Sequence, residues 1–177
     1  ELYKRGYEPI MTKSGIKLFQ YGKSLIALMP AAPSRQELHG ALATAHTFIS
    51  PSFGEGWDLP LFEMMSYGMH CCSAGVTGQS EFVTDNNVVR IESSDDDLTV
   101  AQDGMFFNGI GRWYELKKEN VRRAIETCRK QHFDSTEKNT VLKLKEQARK
   151  DTGKLSWLQS AKEMNKVLTE VQNLVKT

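Results

Sequence analysis

Two glutamates, Glu55 and Glu63, have the side-chain chemistry and the spacing to bind a polyhydroxyl ligand. Glu55 lies between Gly54 and Gly56, and these glycines allow the backbone to approach a ligand closely or to take positive φ. Glu63 lies about one turn into the helix predicted to follow, where its carboxylate can accept hydrogen bonds from a vicinal diol. The pair predicts one carboxylate in a loop and another on the next helix, at one ligand site.

Local patterns predict the strand, loop and helix that position the two glutamates. Thr47–Ile49 is a β-branched and aromatic run typical of a buried strand, and the strand should end at Ser50-Pro51-Ser52. In α/β proteins ligands bind in loops at the carboxyl ends of strands. Pro60 favours a helix that begins near Asp58 and runs to about Tyr67. The free N–H groups at its start suit a diphosphate, although Asp58 could cap them itself.

The segment from Glu55 to Gly68 resembles the E-x7-E signature of the group 1 (family 4) glycosyltransferases. It reads Glu55-Gly56-Trp57-Asp58-Leu59-Pro60-Leu61-Phe62-Glu63, followed by Met64-Met65-Ser66-Tyr67-Gly68. The resemblance covers roughly Leu28 to the C-terminus, because three further segments also resemble the family: Ser50-Pro51-Ser52, Gly78–Val83 and Leu155-Ser156-Trp157.

The resemblance implies an α/β fold with a Rossmann-like three-layer parallel sheet and C-terminal helices, as in the C-terminal lobe of the GT-B architecture. Residues 1–177 would form one such lobe and bind the nucleotide sugar, whereas the N-terminal acceptor domain is absent from this chain. The implied reaction is transfer of a sugar, with retention, from a UDP- or GDP-linked donor to a glycan, lipid or protein acceptor. No metal or other cofactor is implied.

The resemblance also assigns roles to individual residues. Glu55 would be the catalytic residue, which bonds hydroxyls of the transferred sugar and helps to stabilise charge at the anomeric carbon. Glu63 would accept hydrogen bonds from the ribose hydroxyls. Asp58 departs from the glycine of many relatives, so its side chain could narrow the sugar pocket. The other substrate-binding residues would contact the sugar and phosphates or, for the last two, the base: Gly54, Gly56, Trp57, Asp58, Leu59, Met29 and Pro30.

Each of these residues also has an ordinary structural interpretation. Outside the signature, Glu55 would be a solvated loop residue and Glu63 an exposed helix residue. Residues 56–59 could form a tight turn with a docked aromatic ring, and Glu81 could cap a turn or bind the donor. The four histidines are scattered and default to structural roles, and Asp95-Asp96-Asp97 is expected to be a solvated loop rather than a metal site.

The family's Gly-Arg…Lys segment, whose two cations neutralise the diphosphate, has no counterpart in this sequence. Without those cations the leaving diphosphate loses electrostatic stabilisation, so the isolated chain is expected to transfer sugar poorly or not at all. An N-terminal domain or a partner chain would complete the enzyme. A parallel sheet that lacks its first strands should also leave an edge that pairs with another chain or aggregates.

Composition limits the classes of partner. A formal net charge of +1 gives no electrostatic case for nucleic acid or an anionic membrane as the main partner. Cys71, Cys72 and Cys128 lack metal-ligand spacing and are expected to be buried free thiols in a reducing compartment. No apolar run is long enough for a membrane span and no signal peptide is apparent, so a cytoplasmic location is expected. Peripheral membrane contact could come through the missing part.

Other elements are predicted from periodicity. A long helix from Leu155 is expected to pack on the domain, and Gln102–Trp113 is either a docked loop or a lid. Glu1–Gly6 should be the end of a helix. The remaining strands and helices are Ile16–Tyr21, Ser24–Met29, Val88–Ile91, Asn120–His132, and Ser135–Lys150 broken by Asp151-Thr152-Gly153.

Two other functions stay open beside the glycosyltransferase. The chain could be a non-catalytic nucleotide-binding or interaction module of a larger assembly. It could also be another enzyme of the same architecture, such as a nucleotide-sugar epimerase or a phosphorylase, although the block from Glu55 to Gly68 fits those less well. Loss of Glu55 or Glu63 separates these functions, because a scaffold should barely respond to either change.

Overall fold

The computed structural model describes residues 8–13, 16–29, 34–102 and 108–175. The chain divides into two compact units, Glu1–Ala45 and His46–Thr177. The sequence predicted a single lobe over residues 1–177, and this stays a prediction. The predicted helix end at residues 1–6 lies outside the described residues.

The first unit contains an antiparallel sheet with strand order β1-β2-β3 and one helix. Ser34 caps the helix, since its hydroxyl oxygen accepts a hydrogen bond from the Glu37 N–H at 3.2 Å. The strands predicted from residues 16 and 24 are confirmed, but they pair with each other and belong to a different sheet from the predicted parallel one. The elements are β1 (Met11–Lys13), β2 (Ile16–Tyr21), β3 (Ser24–Leu28) and α1 (Arg35–Ala43).

The second unit contains a three-stranded parallel sheet with the order β4-β5-β6. The strands are β4 (Thr47–Ser50), β5 (His70–Ser73) and β6 (Val89–Arg90). Helix α2 (Leu59–Ser66) connects β4 to β5, and the three form a βαβ unit. The described chain is therefore an α/β protein compatible with a Rossmann-like fold, and the predicted strand, loop and helix around the glutamates are confirmed.

A β-hairpin and three helices follow the parallel sheet. The hairpin occupies most of the segment predicted as a docked loop or lid, and residues 103–107 between its strands lie outside the described residues. A break between two helices is confirmed, but it comes later than predicted, because the helix includes Asp151 and Thr152 and ends at Gly153. The elements are β7 (Leu98–Gln102), β8 (Asn108–Tyr114), α3 (Lys118–Phe133), α4 (Lys138–Gly153) and α5 (Trp157–Val175).

The core of the second unit lies between the parallel sheet and its helices. Cys72 and Ile91 pack with Ala124 and Cys128 of α3, and all four are almost completely buried. Neighbouring residues of a strand face opposite sides of a sheet, so Cys71 and Cys72 are buried on different faces. Helix α2 buries an apolar stripe and packs on α4: Leu61, Met64 and Met65.

Helix α5 differs from its prediction. The sequence predicted that it packs on the domain, and this is wrong because every side chain described along it is exposed. Trp157 is 92% exposed and Leu174 is 75% exposed. Its apolar residues therefore form a stripe that the described residues do not cover. Among the helices described, none combines the length and the apolar composition needed to cross a bilayer.

Candidate functional site

The loop that contains Glu55 is fixed by a second loop 22 residues further along the chain. The Glu55 N–H donates to the hydroxyl of Thr77 at 2.8 Å, and the Glu55 carbonyl accepts from the Gly78 N–H at 3.0 Å. A Cβ at residue 78 would overlap the carbonyl oxygen of Gly56 and lie 2.8 Å from that of Glu55. The backbone of Glu55 is therefore held on both sides while its side chain stays exposed.

Asp58 is the centre of a buried hydrogen-bond network at the start of α2. One carboxylate oxygen accepts from the Leu61 N–H at 3.1 Å and thereby caps the helix. The other accepts from the Ser50 hydroxyl at 2.5 Å and from the Gln79 side-chain amide at 2.6 Å. The Gln79 carbonyl oxygen in turn accepts from the Ser73 hydroxyl at 2.7 Å. The network joins the carboxyl ends of β4 and β5 to the helix.

The network argues against the expectation that the Asp58 side chain narrows the sugar pocket. Asp58 is 7% exposed and its carboxylate is fully engaged with protein donors, so its side chain is directed into the protein. Its backbone is left-handed, with φ 66° and ψ 64°, a conformation that costs least for glycine, asparagine or aspartate. A ligand at this position would therefore meet the backbone of Asp58 and not its carboxylate.

The aromatic residue of the signature packs inside the unit. The Trp57 ring lies 5.4 Å from the Phe82 ring and 6.0 Å from the Phe62 ring, measured between centroids. Phe62 and Phe82 meet edge to face at 5.3 Å. Offset and edge-to-face contacts of this kind stabilise aromatic clusters. Trp57 therefore anchors the loop to the 3-10 turn at Thr77–Glu81, and the neighbouring Leu59 is 62% exposed.

A cavity of about 310 Å³ lies between the Glu55 loop and the β-hairpin. Residues 52–55 form one wall, and residues 111–113 with Ala101 form the other. The residues that line it include one acidic residue, Glu55, one basic residue, Arg112, and two aromatic residues, Phe53 and Trp113. It lies just beyond the carboxyl end of β4, which is where α/β sheets bind ligands.

The hairpin is attached to the Glu55 loop through backbone and ring contacts. The Tyr114 N–H donates to the Phe53 carbonyl at 2.9 Å, and the Phe53 and Trp113 rings meet edge to face at 5.8 Å. A Cβ at Gly54 would lie 3.6 Å from the Cβ of Trp113, in ordinary contact. The two walls of the cavity therefore form one packed structure within the second unit.

The base of the hairpin is held by Asp97. Its carboxylate pairs with the Lys117 ammonium at 2.7 Å and accepts from the Ser94 N–H at 2.9 Å. The Lys117 hydrogen bond, followed by that from Ser94, holds the pKa of Asp97 below its usual value. The expectation of a solvated acidic loop is wrong for Asp97, which is buried, whereas Asp95 and Asp96 are exposed.

The remaining predicted site residues lie outside the cavity lining. Glu63 is half-buried on α2, and the cavity beside Glu55 is lined without it. Met29 follows β3 in the first unit and is 50% exposed, and Pro30 lies outside the described residues. The N–H groups of Gly54, Gly56 and Trp57 donate to no acceptor within the described ranges. Their roles stay predictions.

The three cysteines lie in the protein interior. All three cysteines are buried free thiols, as predicted, and burial raises the pKa of Cys71 to about 12. A hydrogen bond with Cys128, together with burial, raises the pKa of Cys72. In the part of the chain that the structure describes, no group of three His, Cys, Asp or Glu side chains could hold a metal ion.

Several residues of the site were not found from the sequence. Thr77 and Gln79 act across 20 or more residues, so no local spacing indicates them. Arg112 and Trp113 belong to the segment that the sequence could not place. The signal there was a cation set between a glycine and two aromatic residues, in the run Gly111-Arg112-Trp113-Tyr114.

No protein-family model, curated protein or solved structure matches this chain.

Proposed function

We propose that this chain is the donor-binding lobe of a retaining glycosyltransferase that uses a nucleotide-diphosphate sugar. The observation that carries the proposal is the position of Glu55, an exposed carboxylate on a fixed backbone at a cavity beside the carboxyl end of β4. A carboxylate on a fixed backbone can accept hydrogen bonds from sugar hydroxyls at a lower ordering cost than one on a mobile loop. The resemblance of residues 55–68 to the family signature supports the same function.

Glu55 would act on the sugar end of the donor. The transition state of glycosyl transfer has oxocarbenium-like charge at the anomeric carbon. A carboxylate held beside that carbon stabilises the positive charge more in the transition state than in the ground state, and this difference is what accelerates a reaction. The backbone clamp from Thr77 and Gly78 supplies the positioning that such stabilisation requires.

The cavity is suited to a sugar on grounds of shape and composition. Phe53 and Trp113 provide apolar surface for the C–H face of a pyranose ring, and Glu55 provides an acceptor for its hydroxyls. Glu63 lies outside this lining, so its proposed contact with the ribose would lie beyond the cavity. The loop amides at Gly54, Gly56 and Trp57 would donate to the phosphates or the sugar.

One observation favours a second function, a non-catalytic nucleotide-binding module. The carboxylate of Asp58 already occupies the N-terminus of α2 through its bond from the Leu61 N–H. The carboxylate occupies one free N–H group and offsets the positive dipole at the helix start. Helix α2 therefore stabilises a leaving diphosphate less than an uncapped helix would. Such a module would hold a nucleotide but would not discriminate among attached sugars.

Binding measurements on the chain test both functions. Isothermal titration with UDP, GDP, UDP-glucose and GDP-mannose would be compared for the wild type, Glu55→Gln, Glu63→Gln and the exposed control Glu119→Gln. The glycosyltransferase predicts that Glu63→Gln weakens every nucleotide about tenfold or more, whereas Glu55→Gln weakens only the sugar-linked forms. Equal affinity of wild type and Glu55→Gln for a sugar nucleotide would favour the module, and no nucleotide binding would exclude both.

A further inference from the structure

We propose that Cys128 and Cys72 form a redox-active thiol pair, in which a hydroperoxide oxidises Cys128 and Cys72 then closes a disulfide between α3 and β5. The inference goes beyond the proposed function, because the reaction uses none of the residues that line the Glu55 cavity. It assigns a modification site to two buried nucleophiles that the binding of a sugar nucleotide does not use.

The fold brings the two thiols together where α3 packs on the parallel sheet. Cys72 belongs to the middle strand, and it pairs with Ile49 of β4 on one side and with Val89 of β6 on the other. Its side chain lies in the same buried cluster as that of Cys128, and the two thiols share a hydrogen bond. A disulfide requires its sulfurs to lie about 2 Å apart, so thiols that are already in contact need only a small displacement to form one.

A second cavity, of about 290 Å³, connects Cys128 with solvent. The α3 residues that line this Cys128 cavity are spaced three, four and seven positions apart, so they share one face of the helix. Cys128 is only 3% exposed, and the cavity is therefore the route by which a small molecule would reach its sulfur. The lining residues are His46, Thr47, Ile49, Ile125, Cys128, Arg129, His132 and Phe133.

The Cys128 cavity also has suitable chemical surroundings. The His46 and His132 rings are exposed and lie 4.0 Å apart, measured between centroids, and Arg129 lines the same cavity. Reactive cysteines typically occupy electropositive surroundings that a reagent can reach, because the thiolate is the form that attacks. Cys71 faces the opposite side of the sheet and is 1% exposed, so it is an internal reference for a buried thiol without this cavity.

The hydrogen bond gives the two thiols different roles. Donation from the Cys72 thiol lowers the pKa of Cys128 below its usual value, although burial opposes this effect. The same hydrogen bond, together with burial, raises the pKa of Cys72. Cys128 is therefore the attacking thiolate, and Cys72 keeps its proton until the second step. Burial raises the pKa of Cys71 to about 12, so Cys71 should be the least reactive at the same pH.

The reaction consumes one hydroperoxide and releases one water. The Cys128 sulfur attacks the terminal oxygen of the hydroperoxide, the O–O bond breaks, and the leaving alkoxide or hydroxide takes up the proton that Cys128 lost. Cys128 is then a sulfenic acid. The Cys72 sulfur attacks the Cys128 sulfur, the S–O bond breaks, and hydroxide leaves with the Cys72 proton as water. The two thiols lose two electrons in total, and the peroxide bond gains them.

The test treats the folded and reduced chain with hydrogen peroxide, blocks the remaining thiols and maps the cysteines by tryptic digestion and mass spectrometry. Trypsin releases Cys128 in residues 124–129 and releases both Cys71 and Cys72 in residues 36–90. We expect a cross-link between these two peptides that separates on reduction, and it should form about tenfold faster or more than Cys71 is oxidised. A reaction that proceeded through global unfolding would instead oxidise Cys71 as readily as Cys128.

Three variants assign the individual sulfurs, and circular dichroism with thermal melting would establish that each one folds. In Cys72→Ala the sulfenic acid on Cys128 should persist, and dimedone should capture it on the peptide 124–129. Cys128→Ala should form neither the cross-link nor the dimedone adduct. Cys71→Ala is the matched control, because it removes a buried thiol from the same strand and should leave the rate of cross-linking unchanged.

The wild-type map decides the inference even where a variant does not fold. The inference is overturned if the wild type forms no cross-link between the two peptides, or if Cys71 is oxidised as fast as Cys128. It is also overturned if a folded Cys71→Ala variant loses the cross-link, because Cys71 would then be the partner of Cys128. None of these outcomes affects the binding of a sugar nucleotide, so the proposed function is tested separately.

Discussion

Asp58 combines three structural tasks in one carboxylate: it caps α2, and it accepts from Ser50 and from Gln79 in the interior. Removing it leaves two buried side-chain donors and one helix N–H without their partner. It also places a residue with a poorer left-handed propensity at φ 66°. Each loss alone typically costs about 1 kcal/mol or more.

We therefore expect Asp58→Ala to lower the free energy of unfolding by about 2–4 kcal/mol in urea denaturation. Asp58→Asn should cost less, because asparagine tolerates the left-handed backbone and keeps one oxygen for the Leu61 N–H. Asp96→Ala is the control, because Asp96 is an exposed aspartate, and it should change the free energy of unfolding little. A loss below 1 kcal/mol in Asp58→Ala would contradict the network's importance.

Gly78 is required for a different reason, since its Cα faces the backbone of residues 55 and 56. Any side chain would overlap the Gly56 carbonyl, and backbone cannot move aside as a flexible side chain can. We expect Gly78→Ala to cost about 2 kcal/mol or more and to weaken binding at the Glu55 cavity. The measurement is urea denaturation together with ligand titration.

Gly153→Ala is the matched control for that substitution. Nothing lies within 4 Å of a Cβ at Gly153, the last residue of α4, so alanine should be neutral or slightly stabilising there. If Gly78→Ala were as stable as Gly153→Ala, the close backbone contact between Gly78 and residues 55–56 would be contradicted.

Local patterns predicted the backbone of the site but not the contacts between its segments. Pro60 and Gly68 identified the start and the end of the helix, and Asp58 was recognised as a potential cap. The bond from Gln79 to Asp58 and the clamp by Thr77 join residues that are 20 or more positions apart, and no spacing rule encodes such contacts. Only the folded chain brings them together.

At the scale of elements, local patterns also failed to predict the β-hairpin. Its glycines suggested a loop, because glycine is uncommon inside strands, and the register irregularity removes the alternation that would indicate a strand. Helix α3 was predicted because its apolar residues recur with the helical period. The packing of α5 was over-predicted, since an apolar stripe shows that a surface exists but not what covers it.

His70 links three elements, and its protonation should make their association depend on pH. Its ring nitrogens contact the Thr47 hydroxyl on β4 and the Gln131 side chain on α3, both at 3.1 Å. A neutral ring with the proton on Nε2 satisfies both contacts. Burial, the largest cause, lowers the pKa of His70 below 6.5 in the folded chain.

Because the unfolded chain takes up this proton more readily, stability should fall as the pH drops through 6.5 toward the folded pKa. We expect the free energy of unfolding to be lower at about pH 5.5 than at about pH 7.5. In His70→Gln this pH dependence should be reduced even though the variant is less stable overall. An unchanged slope in His70→Gln would assign the dependence to another group.

At the scale of the whole molecule, two surfaces could mediate association with another protein chain. Within the described residues, β4 and β6 are the edges of the parallel sheet. The stripe on α5 is exposed along its length, and large exposed apolar patches usually mark an interaction surface. The edge expected from the sequence and the uncovered helix together predict that the chain self-associates.

Sedimentation velocity over a range of protein concentrations tests whether the chain self-associates. We expect the average mass of the wild type to rise with concentration, and Leu168→Glu with Val171→Glu to reduce the rise by placing charge on the stripe. Thr169→Glu with Asn173→Glu adds the same charge to the polar side of α5 and is the control. A wild type that stays monomeric at every concentration would contradict the prediction.

The clamp on Glu55 has a consequence for the kinetics of solvent access. Surface loops normally exchange amide hydrogens for deuterium within seconds, because their N–H groups point to water. Here the amides of Glu55 and Gly78 are both engaged across the two loops, at 2.8 and 3.0 Å. These two amides should therefore exchange far more slowly than that of Gly56, so two positions in an outwardly exposed loop should be protected from exchange.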